Sequence, residues 1–147
     1  KSGGLMKIGL YSQLASQHII KTREIIKQSG IASNPNSIRA FRNLLINSEK
    51  EYYKSIRSFN DFYSLSELRD LLFHVQEHQF TIPQIRECLA ELDLKFCGFS
   101  EANKKIQDFK LNYMESDDLY DMGKWNSYEK ANPSAFRRTY QFWCQKA

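Results

Sequence analysis

The sequence predicts a mainly α-helical chain with a few β-strands, and three observations carry that expectation. Two helix starts have capping-box spacing, Ser64-x-x-Glu67 and Thr81-x-x-Gln84. Apolar residues recur at helical intervals over most of the chain, as in Ile82, Ile85, Leu89 and Leu92. Two short apolar runs with glycine beside or inside them, residues 5–11 and Leu94–Phe99, read instead as strands.

Taken in order, Lys1-Ser2-Gly3-Gly4 is a turn, because paired glycines tolerate positive φ. The strand over 5–11 follows. Ser12 is placed to cap a helix over 13–29, with Leu14, Ala15, Ile19, Ile25 and Ile26 as its apolar stripe and Gly30 as its stop. After a loop over 31–36, Ile38, Phe41, Leu44 and Leu45 face inward from a helix over about 37–47. Residues 49–61 mix charge with Tyr52, Tyr53, Ile56 and Phe59 and read as a ragged helix, then loop. The Ser64 cap, with Tyr63 and Leu68 as a hydrophobic staple, opens a helix whose stripe (Leu65, Leu68, Leu72, Val75) would continue through His78. Thr81 caps the next helix, over 81–93, with Phe80 and Ile85 stapled and Pro83 in the first turn, where its missing N–H costs nothing. A turn at Asp93 leads to the strand Leu94–Phe99. Ser100 then caps a helix to about Met114, with Ile106, Phe109 and Tyr113 inward. The acidic residues 115–118 suit the N-terminus of a further helix carrying Leu119, Met122, Trp125 and Tyr128. Asn132-Pro133 reads as an N-cap and first-turn pair for a last helix lined by Phe136, Tyr140 and Trp143.

The expected organisation is therefore one domain or part of one: turn and strand over 1–12, helical insert over 13–93, strand over 94–99 and helical C-terminus over 100–147. Both strands are apolar on both faces, the mark of interior parallel strands. Two strands do not make a stable sheet alone, so either they pair with each other under covering helices or, the favoured expectation, they form the exposed edge of a larger sheet. The start at Lys1, with Met6 inside a strand, is read as the sign of a fragment.

Composition excludes several classes. The net charge of +4 is spread over Lys and Arg interleaved with Asp and Glu, which is no nucleic-acid footprint. No apolar run approaches bilayer-spanning length. Three widely spaced cysteines, Cys88, Cys97 and Cys144, suit reduced thiols in a cytoplasmic protein rather than a disulfide framework or a zinc ribbon. No glycine-rich nucleotide loop, phosphate loop or nucleophile elbow is present.

Chemistry-bearing residues gather around His74-Val75-Gln76-Glu77-His78. On a helix this H-x-x-E-H spacing puts two imidazoles one turn apart with a carboxylate between them, the arrangement of inverted zinc peptidases. Bound zinc lost on His74→Ala or His78→Ala would support that reading. The alternative is a polar cluster at a helix end, with His74 or His78 bonded to Glu77 or Asp70. Asp70 and His74 are also one turn apart, beside Arg69. Such groups can line a cleft, bind a polar substrate and orient a base, or brace a helix against a sheet.

The stretch KSGGLMKIGLYS resembles class I SAM-dependent methyltransferases, which carry a turn of the type L-K-P-G-G before their fifth strand. Ser2 stands where that turn has proline. RDLLFHVQEHQFTIPQI…LDLKFCGF is similar to the C-terminal half of a bacterial methyltransferase family often fused to tetratricopeptide repeats, with a helix before the sixth strand. The run from Trp125 to Trp143 (W-x-x-Y-E…NP-x-x-F…YQFW) resembles the end of those chains. The resemblance covers most of the 147 residues. It implies the C-terminal, acceptor-side part of a Rossmann-like methyltransferase sheet with a helical insert and a helical C-terminus. The glycine loop that binds S-adenosylmethionine would precede this part. The chain alone is then expected to be inactive and free of cofactor and metal, with the preceding part of its own chain as partner. The family's usual seventh strand is not read after Phe99. By position, the resemblance makes Asp70, His74, Glu77 and His78 the catalytic candidates and Tyr11 and Arg69 the substrate-binding ones. A second reading makes the chain a non-catalytic helical interaction or dimerisation module, its exposed strands covered by a second copy.

Overall fold

The computed structural model describes residues 3–73, 77–100 and 103–146. The protein is mixed α/β, and it divides into two compact units, Ser16–Glu77 and the pair of segments Lys1–Ala15 and His78–Ala147. In chain order the elements are β1 (Leu5–Ser12), α1 (Gln17–Gln28), α2 (Pro35–Asn47), α3 (Glu51–Arg57), α4 (Leu65–Phe73), β2 (Gln79–Phe80), α5 (Ile82–Glu91), β3 (Leu94–Phe99), α6 (Asn103–Lys110), α7 (Met122–Ala131) and β4 (Thr139–Lys146). Single 3₁₀ turns lie at Asn60–Tyr63 and Ser116–Tyr120.

The Ser16–Glu77 unit holds α1 to α4 around Ile19, Ile38, Phe41, Leu45, Ile56, Leu68 and Leu71, all buried. The start of α2 and the end of α1 follow local sequence signals. Asn34 caps α2 by accepting from the Asn36 and Ser37 amides at 3.1 and 3.0 Å, with Pro35 in the first turn. Gly30, at φ +62, ends α1 in the left-handed conformation a glycine takes without strain. Phe41 meets Tyr53 and Phe73 edge-on, with centroids 6.3 and 6.2 Å away. Leu44, expected inward, is exposed, and so is Tyr63, which leaves no staple onto buried Leu68.

The other unit is built on a four-stranded sheet in the order β2-β1-β4-β3. β4 runs antiparallel to both neighbours, pairing Leu5↔Gln145 through Tyr11↔Thr139 on one side and Leu94↔Lys146 through Phe99↔Phe142 on the other. β2 adds a two-residue parallel pairing at Tyr11 and Ser12. A register shift falls between Phe96 and Phe99, where Gly98 stands at φ +110, as a bulge requires. Period two decides the faces. Tyr140, Phe142 and Cys144 are buried with Ile8 and Leu10 opposite, under Ile82, Ile85 and Leu89 of α5 and Met122, Trp125 and Tyr128 of α7. Phe109 of α6 stacks on Trp125 at 3.8 Å and 11°. The alternate set, Leu5, Lys7 and Tyr11 beside Trp143 and Gln145, faces outward and is exposed or partly so.

Several sequence expectations are corrected here. The last helix does not form: Phe136 lies in a turn, and 139–146 is a strand. Tyr140 and Trp143 sit three apart by coincidence. The operative pattern is the alternation of Tyr140, Phe142 and Cys144, rewarded by burial against α5 and α7. A further strand therefore does follow Phe99. Asn132 closes α7 instead of opening a helix. The two expected strands are neither adjacent nor buried on both faces, because β4 lies between them and β1 exposes its outward residues. The first helix starts at Gln17 rather than 13, because 13–16 are turns leaving Ser12. α4 is helical to Phe73, and Glu77 and His78 lie outside any helix. α5 belongs to the sheet unit, so the helical insert ends at Glu77. No helix among the described residues is long and apolar enough to cross a membrane.

Candidate functional site at the carboxyl end of strand β1

β1 and β3 both oppose β4, so their carboxyl ends, Ser12 and Phe99, lie at the same edge of the sheet. Ligands of open α/β sheets bind outside the carboxyl ends of strands. At Ser12 the sequence places a buried polar network. Asp121 caps α7, accepting from the Gly123 amide at 2.7 Å, and the helix then turns Met122, Trp125, Tyr128 and Glu129 inward. Glu129 is one turn beyond Trp125, which puts a carboxylate on an apolar face. It is 3% exposed and must find partners there. Ser12 Oγ donates to Glu129 Oε1 at 2.7 Å. Tyr140 Oη lies 2.7 and 2.8 Å from the two carboxylate oxygens and donates to them. Ser12 Oγ in turn accepts from the Ala15 amide at 3.0 Å. The chain of donors thus runs from the turn after β1, through Ser12, to the carboxylate.

Burial raises the Glu129 carboxyl above its ordinary value, against the two hydroxyl bonds that lower it. Burial likewise pushes the Tyr140 phenol up. With both oxygens engaged, Glu129 acts as a brace between β1, α7 and β4, fixing the turn over 13–16. On the other face of the sheet, where Tyr11 points outward, the Arg138 guanidinium lies 4.6 Å from the Tyr11 ring centre, an aromatic and a cation together at the strand end.

Of the residues singled out from sequence, Tyr11 alone lies near this network, one residue before Ser12 in β1 and on the opposite, outward face of the sheet. Arg69 and Asp70 are both exposed and make a loose 3.9 Å pair at the surface of α4. Glu77 is bound to Arg23 at 2.6 Å. The same guanidinium donates to the Leu71 carbonyl at 3.0 and 2.8 Å, closing the last turn of α4. His78 is exposed and opens the sheet unit's second segment, whereas Glu77 ends the helical one. His74 lies outside the described residues. Among the described residues, no three His, Cys, Asp or Glu side chains converge as a metal site. Sequence reasoning missed Ser12, Glu129, Tyr140 and Arg138. The available signal was Glu129 itself, a charge at a core-facing position of a helical stripe. No family model matches the chain, and no curated protein matches it.

Proposed function

We propose that this chain forms the C-terminal, acceptor-side part of a class I SAM-dependent methyltransferase acting in the cytoplasm. The observation that carries the reading is the state of β1. Among the described residues it is paired along its whole length with β4, but on its other edge only at Tyr11 and Ser12. Among the described residues that edge shows no strand pairing from Leu5 to Leu10, and an apolar strand edge is one that natural sheets cover or blunt. A Rossmann-like sheet continued by the preceding strands of the same protein covers it. The strand β4, after β3, supplies the counterpart of the seventh strand that the resemblance calls for.

On this reading S-adenosylmethionine binds on the preceding strands, and this chain contributes the acceptor side. Tyr11 with Arg138, at the carboxyl end of β1, would contact the acceptor. Within the sheet unit His78 remains the candidate for a base; Asp70 is exposed on α4 of the helical unit, His74 lies outside the described residues, and Glu77 is bound to Arg23. Methyl transfer needs an acceptor lone pair aligned on the methyl carbon, so positioning carries more of the work than proton removal. The test is calorimetric titration of S-adenosylhomocysteine into this chain and into the protein extended upstream by about 150 residues, one domain's length. Binding by the extended protein alone is the expected result. Binding by neither overturns the reading.

A further inference from the structure

We propose that the outward face of the sheet is a binding platform for single-stranded nucleic acid. Strand alternation assembles it. Along the chain the cations are interleaved with Asp and Glu, but the sheet sorts them. The odd-numbered residues of β1 and β4, with Lys95 of β3 beside them, turn away from the face that α5 and α7 cover. Those positions present Lys7, Lys95, Tyr11, Gln141 and Trp143, all exposed, and none of them holds an acidic residue. Arg138, which leads into β4, adds its guanidinium 4.6 Å from the Tyr11 ring centre. Charge on the face is therefore of one sign, and its complement is a polyanion.

The rings choose among polyanions. Trp143 and Tyr11 are 41% and 38% exposed. Bases stack on such rings whatever their sequence, because every base has a π face. Trp143 lies directly across from Lys7, so an indole and an ammonium are cross-strand neighbours, about 5 Å apart at Cβ. Tyr11 faces Thr139, which puts it about 14 Å from Trp143, one strand spacing across and four residues along. Two different bases, not one, would occupy the two rings. A duplex keeps its base faces stacked inside, so the ligand is a single strand. With Lys7, Lys95 and Arg138 each on one phosphate, log affinity against log salt should fall with a slope of about −2, from about −0.7 per contact. Binding of this kind is weak and sequence-tolerant, with a dissociation constant on the order of 10⁻⁴–10⁻⁶ M.

The inference does not rest on the methyltransferase reading. It shares Tyr11 and Arg138 with the acceptor side, but oligonucleotide binding is read without cofactor, so either reading can fail alone. A fluorescein-labelled oligothymidine of about 12 nucleotides is titrated with the 147-residue chain and followed by anisotropy. Trp125 is buried, so quenching of indole fluorescence by the bases reports Trp143. The expected result is saturable binding with quenching at low salt. Trp143→Leu should weaken it about tenfold and leave the salt slope unchanged. Lys7→Gln combined with Lys95→Gln should instead reduce the slope to about −0.7. All three positions are exposed, so the fold is kept, and circular dichroism checks it. Inorganic polyphosphate, which has the charge without the rings, should compete poorly. No binding at about 10⁻⁴ M protein, an unchanged affinity in Trp143→Leu, or polyphosphate competing as well as the oligonucleotide at equal charge overturns the proposal.

Discussion

Replacing Glu129 by alanine removes the acceptor of two buried hydroxyls at once. Ser12 and Tyr140 are both 0% exposed, so neither hydroxyl can turn to water. Each buried donor left unpaired costs about 1–3 kcal/mol. The loss is therefore about 2–6 kcal/mol, against a total domain stability of about 5–15 kcal/mol. Both tryptophans, Trp125 and Trp143, lie in the same unit as Glu129, so indole fluorescence during urea unfolding reports on the right part of the molecule. Two companion variants isolate the cause. Glu129→Gln keeps a carbonyl acceptor and should lose less than half as much as Glu129→Ala. Tyr140→Phe added to Glu129→Ala removes one orphaned hydroxyl, so the double variant should be less destabilised than the sum of the singles. A Glu129→Ala variant within about 1 kcal/mol of wild type would refute the brace, because that is the value of a single ordinary hydrogen bond.

Three further outcomes follow from the same geometry. Because burial raises the Glu129 carboxyl, its contribution to stability is full below about pH 4.5 and is lost as pH rises through the higher folded value. The melting temperature of the wild type relative to Glu129→Gln should thus fall from pH 4.5 toward neutrality, and a rise would contradict the assignment. Arg23→Ala should cost the helical unit about 2 kcal/mol by far-UV circular dichroism, with faster amide exchange at the end of α4, since it removes both guanidinium bonds to the Leu71 carbonyl and the ion pair to Glu77. Gly98→Ala should cost about 1–3 kcal/mol from backbone strain at φ +110, because the added methyl meets Tyr120 only at an ordinary 3.8 Å.

Where local chemistry decides the structure, the sequence was legible. The Thr81–Gln84 capping box forms, with the Thr81 amide donating to Gln84 Oε1 at 2.8 Å and Gln84 N donating back to Thr81 Oγ1 at 3.4 Å. β1 lies within one residue of its expected span, and β3 matches it. What failed was decided by partners far along the chain. Tyr140 and Trp143 fit a helical spacing as well as a strand alternation, and only pairing with β1, more than a hundred residues earlier, separates the two. The Ser12–Glu129 bond joins residues 117 apart, which no local spacing encodes. The His74–His78 spacing looked like one helical face, yet the described part of α4 ends at Phe73 and Glu77 turns to Arg23.

Under the proposed function, the outward edge of β1 is completed by a preceding strand of the same protein. Amide hydrogen exchange at Lys7 and Gly9 tests it most directly, measured in dilute solution for this chain and for the protein extended upstream. In this chain those two amides point away from β4 and should exchange far faster than those of Ile8 and Leu10, which the β1–β4 ladder protects. In the extended protein all four should be protected alike. Lys7 and Gly9 amides that exchange equally fast in both proteins would contradict the account.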